Sequence, residues 1–197
     1  MATALLIVDA QLDFTEGGAL GVAGATTAFR RIAETIQAGL RDGTLAQEHP
    51  LIVTTQDWHI DPGDHWSDSP DYVDSWPVHC EAGTPGAELN PIISLALRGV
   101  HPDRLLRVTK GEHEAAYSGF EGHDAEGAPL AELLRARGIT AVDVVGVATD
   151  HCVRATALDA VSAGFQVQLI ADQTAAVDLG RGQAAIQELR EAGARIL

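Results

Sequence analysis

Short runs of Val, Ile and Leu recur along the chain, separated by longer stretches in which apolar residues return every three or four positions. The short runs predict buried strands and the longer stretches amphipathic helices, a pattern of βαβ units around a parallel sheet. Ala4–Val8 reads as the first strand, Leu51–Thr55 as the second and Arg104–Thr109 as the third. Val142–Val147 and Val167–Ile170 read as two more. Between them the spacing predicts helices over about Thr27–Leu40, with Phe29, Ile32, Ile36 and Leu40 on one face, and over Pro91–Arg98, Pro129–Arg137, Cys152–Ala163 and Gly182–Ala192. The first helix should stop at Asp42-Gly43, where glycine can adopt the left-handed C-terminal turn. The expected architecture is one α/β domain over residues 1–197, a central parallel β-sheet with helices on both faces and no internal repeat.

Composition narrows the function. The chain has 197 residues, 46% of them hydrophobic, enough for a well-buried core. Its 13 Lys and Arg against 28 Asp and Glu give a formal charge of −15, which argues against nucleic acid and anionic membranes as partners. The apolar run Ala4–Val8 ends at Asp9, too short for a bilayer span or a signal-peptide core, so a cytoplasmic location is expected. Cys80 and Cys152 are then read as free thiols.

The segment Gln56–Thr84 breaks the pattern: it is rich in Asp, His, Pro, Ser and Trp and has neither period. A loop that long in a compact domain is usually functional. It leaves the carboxyl end of a strand, as do Asp9, Lys110 and the turn from Ala148 to Cys152, and ligands of parallel sheets bind in the crevice beyond those ends. Within it Asp57, His59, His65 and His79 form a donor set suited to a divalent ion such as Zn²⁺, Fe²⁺ or Mn²⁺. A polar loop that simply collects such residues has the same spacing. His49, His101, His113, His123 and His151 lack that grouping and read as structural or surface residues.

Cys152 falls in the turn between a strand and a helix, where Thr149 or Asp150 can cap the helix and the helix N-terminus would lower the thiol pKa. It is a candidate nucleophile; the alternative is a small buried apolar side chain. Asp9 and Lys110, each isolated at the end of an apolar strand, are candidates for its base and charge partner, or for a purely structural ion pair.

Longer motifs carry a resemblance. Ile7-Val8-Asp9-Ala10-Gln11-Leu12-Asp13-Phe14, Asp57-Trp58-His59 through Asp64-His65, Ser75-Trp76-Pro77-Val78-His79-Cys80, Lys110-Gly111, Ala116-Tyr117-Ser118-Gly119-Phe120 and Ala148-Thr149-Asp150-His151-Cys152 occur in this order. Together they resemble the nicotinamidase and pyrazinamidase branch of the isochorismatase-like cysteine hydrolases. The resemblance implies that family's fold, with a metal-binding loop at about 56–86, and deamidation of nicotinamide to nicotinate and ammonia through a thioester. Acceptance of pyrazinamide is implied too, and a role in NAD salvage. It also implies a catalytic triad of Asp9, Lys110 and Cys152, one divalent metal (Zn, Fe or Mn) on Asp57, His59, His65 and His79, and a ring site formed by Phe14, Trp76 and Tyr117. A cis peptide before Ala148 would let the backbone N–H groups of Ala148 and Cys152 form an oxyanion hole. Leu12, Thr15 and Glu112-His113-Glu114 depart from the relatives' pattern. The alternative within the family is a related amidohydrolase acting on another small amide or carbamoyl compound. The expected partner is the small-molecule substrate alone, with the chain a monomer or a homo-oligomer.

Overall fold

Strand β1 (Thr3–Val8) sends Leu5 and Ile7 into one core and Ala4, Leu6 and Val8 into a second. That alternation is the period of two of an extended chain, and a strand apolar on both faces belongs in the middle of a covered sheet. It pairs in parallel with β2 (Leu51–Asp57) on one side and β4 (Ala141–Val147) on the other. Strands β3 (Leu105–Lys110), β5 (Gln166–Ala175) and β6 (Arg195–Ile196) complete an all-parallel sheet of order β3-β2-β1-β4-β5-β6. The computed structural model describes residues 2–197; Met1, the first residue of the expected 1–197 domain, lies outside the described residues.

Helices cover both faces, as the sequence pattern predicts. On the face of Leu5 and Ile7 lie α1 (Ala25–Asp42), the short α2 (Leu45–Glu48) and α3 (Pro91–Leu97). On the other face lie α4 (Leu130–Ala136), α5 (Arg154–Ser162) and α6 (Leu179–Glu191). Phe29, Ile32 and Ile36 of α1 are buried as expected, and the helix ends at Gly43 with φ of 73°. No helix among the described residues is long and apolar enough to cross a membrane.

Several boundaries differ from the sequence reading, and these bear on the site. Strand β2 runs past Thr55 to Asp57 and β3 runs to Lys110, so residues 56 and 57 of the expected loop belong to the sheet. Polar residues end an apolar run without ending a ladder, because backbone pairing does not depend on the side chain. Strand β5 likewise continues past Ile170 through Asp172-Gln173-Thr174, rejoining β4 after a register shift between Val144 and Gly146. Gly146 has φ of +112°, and a Cβ there would stand 2.1 Å from the Val8 carbonyl oxygen, so only glycine fits. The helix expected from Cys152 begins at Arg154 instead, preceded by a π-helical turn over Thr149–Val153.

Candidate active site

Four chain segments deliver ionisable groups to one crevice at the carboxyl ends of the central strands. Asp9 follows β1 at φ of 45°; its N–H donates to the Thr55 carbonyl at 3.2 Å, and the Thr55 hydroxyl donates to Asp9 Oδ1 at 2.6 Å. Asp57 and Lys110 are cross-strand partners at the ends of β2 and β3. Cys152 enters from the π-turn after β4. The Lys110 ammonium, fully buried, lies 3.0 Å from Asp9 Oδ2, donates to Asp57 Oδ1 and to the Ala116 carbonyl at 3.1 Å, and sits 3.8 Å from the Cys152 sulfur. A carboxylate oxygen of Asp9, one of Asp57 and the sulfur of Cys152 all lie within 4.8 Å of one another.

Burial and these charges act against each other. Desolvation raises the Asp9 carboxyl above its usual range, more than the Lys110 charge lowers it, and the nearby Asp57 adds to the rise. Asp57 is also desolvated, but Lys110 and the histidine beside it hold its carboxyl well below the usual range. For Lys110, burial favours the neutral amine, yet the two carboxylates outweigh it and push the ammonium's pKa up. The Cys152 thiol is pushed well above its ordinary value by burial, with Lys110 opposing and Asp9 adding to the rise. This direction is opposite to the one expected from a helix N-terminus, because burial of the sulfur outweighs the local N–H groups.

Beside this cluster one ring nitrogen each from His59, His65 and His79 lies within 4.8 Å of the others, and all three side chains are buried. His59 Nδ1 bonds the Gly111 carbonyl at 2.5 Å and His79 Nδ1 bonds the Pro77 carbonyl at 2.7 Å. A carbonyl oxygen only accepts, so both Nδ1 atoms carry the proton and both Nε2 atoms keep a free lone pair. His59 Nε2 and His65 Nδ1 are buried with no hydrogen-bond partner among the described residues. Asp57 Oδ2 faces the group, 3.7 Å from His59 Nε2 and 3.9 Å from His79 Nε2. Burial, reinforced by the neighbouring imidazoles, lowers His65 to about 4, which keeps it a neutral donor at pH 7. Orphaned lone pairs beside a carboxylate are what a divalent ion requires, so these residues fit one. Asp57 faces both halves of the site, one oxygen toward Lys110 and the other toward the imidazoles.

A small pocket, with a cavity volume of about 40 Å³, lies above these groups. Phe14, Trp76 and Tyr117 line it, as do Ala148 and Cys152. Trp76 Nε1 donates to the Tyr117 hydroxyl at 3.1 Å, and the Phe14 ring stands 5.6 Å from that of His79. The Val147–Ala148 peptide is cis, and the Ala148 carbonyl accepts from the N–H groups of His151 and Val153.

Two sequence expectations fail here. His151, read as structural or surface, lines the pocket with its ring 5.2 Å from that of Trp76. Neither Thr149 nor Asp150 caps the following helix: the Thr149 hydroxyl donates to Thr174 Oγ1 at 2.9 Å, and Asp150 accepts from Val177 and Asp178. Of the other histidines, His49 is buried against Asp143 at 2.8 Å, while the side chain of His101 is 69% exposed.

The sequence reading also passed over the residues that hold the loop. The Gln11 side chain donates to the Asp57 and Ala87 carbonyls at 2.8 Å each and accepts from the Asp57 N–H, clamping that backbone from both sides. Asp13 Oδ2 accepts from the Cys80 N–H at 2.7 Å, next to His79. Thr15, one of the departures from the relatives' pattern, donates to the Gln11 carbonyl and accepts from Asn90, while the Glu112 carbonyl receives the N–H groups of Ile60 and Asp61. The signal available in sequence was the alternation of Gln11, Asp13 and Thr15 with apolar residues immediately after the first strand. Both cysteines are free thiols.

Comparison with known proteins agrees with this geometry. Residues 3–197 match the isochorismatase domain model. The chain is 45% identical to the nicotinamidase/pyrazinamidase of Mycobacterium tuberculosis over 195 residues, covering 98% of this chain and 97% of that one. A Pyrococcus horikoshii pyrazinamidase solved in complex with zinc superposes with a TM-score of 0.79 at 34% identity, covering 100% of this chain and 99% of its own. A protein from L. infantum solved in complex with nicotinate gives 0.71 at 33% identity, covering 100% and 92%. This chain belongs to the isochorismatase domain family.

Proposed function

We propose that this protein is a metal-containing cysteine amidohydrolase that converts nicotinamide to nicotinate and ammonia, and that it hydrolyses pyrazinamide by the same route. The observation that carries the reading is the meeting of Asp9, Lys110 and Cys152 around one ammonium, directly beside three buried imidazoles and under an aromatic-lined pocket. The sequence motifs resemble nicotinamidases, and of the relatives named above one bears that name and another is solved with nicotinate.

In this reading Asp9 is the base. Burial raises its carboxyl above the ordinary carboxylate range, which strengthens it as a proton acceptor. It takes the Cys152 proton as the sulfur adds to the carboxamide carbon, while Lys110 offsets the negative charge passing between them. The backbone N–H groups of Ala148 and Cys152 receive the oxyanion, each such donor contributing about 3 kcal/mol in comparable sites. Protonated Asp9 then gives its proton to the leaving amine, and ammonia departs to leave a thioester on Cys152. Water, deprotonated by Asp9, adds to the thioester carbon; the C–S bond breaks, nicotinate is released and the thiol is restored. Phe14, Trp76 and Tyr117 hold the flat ring. Asp57, His59, His65 and His79, within a loop at about 56–86, would hold one divalent ion, Zn, Fe or Mn. When bound, such an ion would supply Lewis acidity for orienting a heteroaromatic ring.

The location is cytoplasmic in this reading, the reaction belongs to NAD salvage, and the substrate is the one partner required. The test is release of ammonia and nicotinate by metal-replete protein at neutral pH, with Cys152→Ala in parallel. Loss of release with unchanged metal content supports the covalent route; retained hydrolysis in the variant overturns it. No release by folded, metal-replete wild type points to another small amide or carbamoyl substrate.

A further inference from the structure

Asp150 stands two residues before Cys152 and takes no part in the steps above, yet its side chain is 1% exposed and fully engaged. Oδ1 accepts from the Val177 N–H at 2.9 Å and Oδ2 from the Asp178 N–H at 3.0 Å. Arg181 Nε lies 3.4 Å from Oδ2, and Nδ1 of His151 lies 3.3 Å from Oδ1. Residues 176–178 connect β5 to α6, and Val177 lines the pocket although it is 44% exposed. An apolar side chain that open to solvent is held weakly by burial. Its position depends on its backbone, which hangs between Asp150 and the start of α6, where Asp178 Oδ1 caps the helix by accepting from the Arg181 N–H at 2.8 Å. The carboxylate thus joins the turn that carries the nucleophile to the strap that closes the pocket.

We propose that Asp150 is a positioning residue that clasps the β5–α6 connection over the pocket, setting the wall formed by Val177 and the His151 ring against the substrate. The inference rests on the deamidase reading for its kinetic consequences, though not for the clasp itself. Substitution by Asn keeps the size but replaces one acceptor oxygen by an NH₂ donor, which must then face a backbone N–H or the Arg181 guanidinium. One strap bond is lost and a donor meets a donor.

Three measurements test this on the full-length, metal-replete protein. A looser wall removes contacts made equally in ground and transition states, so Asp150→Asn should raise KM for nicotinamide about tenfold with kcat within about threefold of wild type. Val177→Ala should raise KM about threefold alone and add nothing in the Asp150→Asn background, because the wall it trims is already displaced. Alkylation of Cys152 by iodoacetamide, located by mass spectrometry and independent of turnover, should run several-fold faster in Asp150→Asn. A lowered melting temperature with unchanged KM and labelling rate, or additive KM effects of the two substitutions, overturns the clasp. Should the Asn variant not fold, Asp150→Glu carries the same tests, since a carboxylate one methylene longer cannot receive both amides without moving the strap. Wild type that releases no nicotinate, alongside faster labelling in the variant, overturns the deamidase reading while supporting the clasp.

Discussion

Lys110→Met is the substitution that separates an organised charge cluster from an incidental one. Methionine keeps most of the apolar stem and removes one buried positive charge from among two carboxylates and a thiol. At 3.0 Å from Asp9, and with an effective dielectric near 20, the lost attraction is roughly 5–6 kcal/mol for that contact alone. Much of this is the repayment of desolvation, and removing one partner of a buried pair costs about 3–5 kcal/mol in practice. For a chain of 197 residues that is a fall in Tm of about 6–20 °C, followed by differential scanning calorimetry. Activity should fall further than stability suggests. Lys110 is the main influence lowering the Asp9 carboxyl against desolvation; without it the ionised form is disfavoured further, and less of it is present to accept the thiol proton. General-base catalysis is worth about 10²–10⁴, so kcat/KM for nicotinamide should drop by at least about 100-fold in protein that remains folded. The double variant Asp9→Asn/Lys110→Met should regain part of the lost stability, because the uncompensated carboxylate is gone. A Tm within about 3 °C of wild type together with kcat/KM within about tenfold would refute the reasoning.

Other consequences follow from single contacts. Glu16 accepts from the Thr26 hydroxyl and from the N–H groups of Thr26 and Gly24 at the start of α1, bonds that hold its carboxyl at about 2. Because the folded pKa is depressed, the contribution is present above the ordinary value near 4.5 and lost as pH falls toward 2. Glu16→Gln, a solvent-screened change, should cost about 1 kcal/mol at pH 7, and its Tm difference from wild type should shrink from about pH 4.5 downward and be lost as pH falls through about 2. Gly111→Ala places a Cβ 2.6 Å from His59 Cε1 at φ of +75°, so zinc affinity, measured by chelator competition, should weaken by about 10–100-fold. Gly146→Ala meets the Val8 carbonyl at 2.1 Å in the middle of the sheet; urea melts should show a loss of at least about 3 kcal/mol, or no folded protein.

The sheet and its two helical layers were legible because burial on both faces leaves a plain signature: Leu5-Leu6-Ile7 and Val144-Val145 are apolar at every position. What periodicity could not reach were segments whose place is set by backbone pairing. Residues 171–175 of β5 look like a loop, yet they rejoin β4 across a bulge that Gly146 permits. The two residues of β6 and the four of α2 are shorter than any period.

In the site, residue type and order made Asp9, Asp57, Lys110 and Cys152 candidates while leaving a structural ion pair, an incidental polar loop and a buried apolar thiol open; the longer motifs, through their resemblance, joined them into one site. The direction in which the thiol is pushed was not legible. A turn leading into a helix suggests a stabilised thiolate, but that argument counts only the local N–H groups. It omits the neighbouring chain segments that bury Cys152 and set the negative charge of Asp9 and Asp57 against it. The same omission hid Asp150, whose partners lie 27 and 28 residues away in a connection with no motif of its own. Both errors have one physical origin: electrostatics in a buried site is a property of the groups that converge there. Place along the chain names the candidates, and the segments that converge on them decide the direction of their pKa shifts.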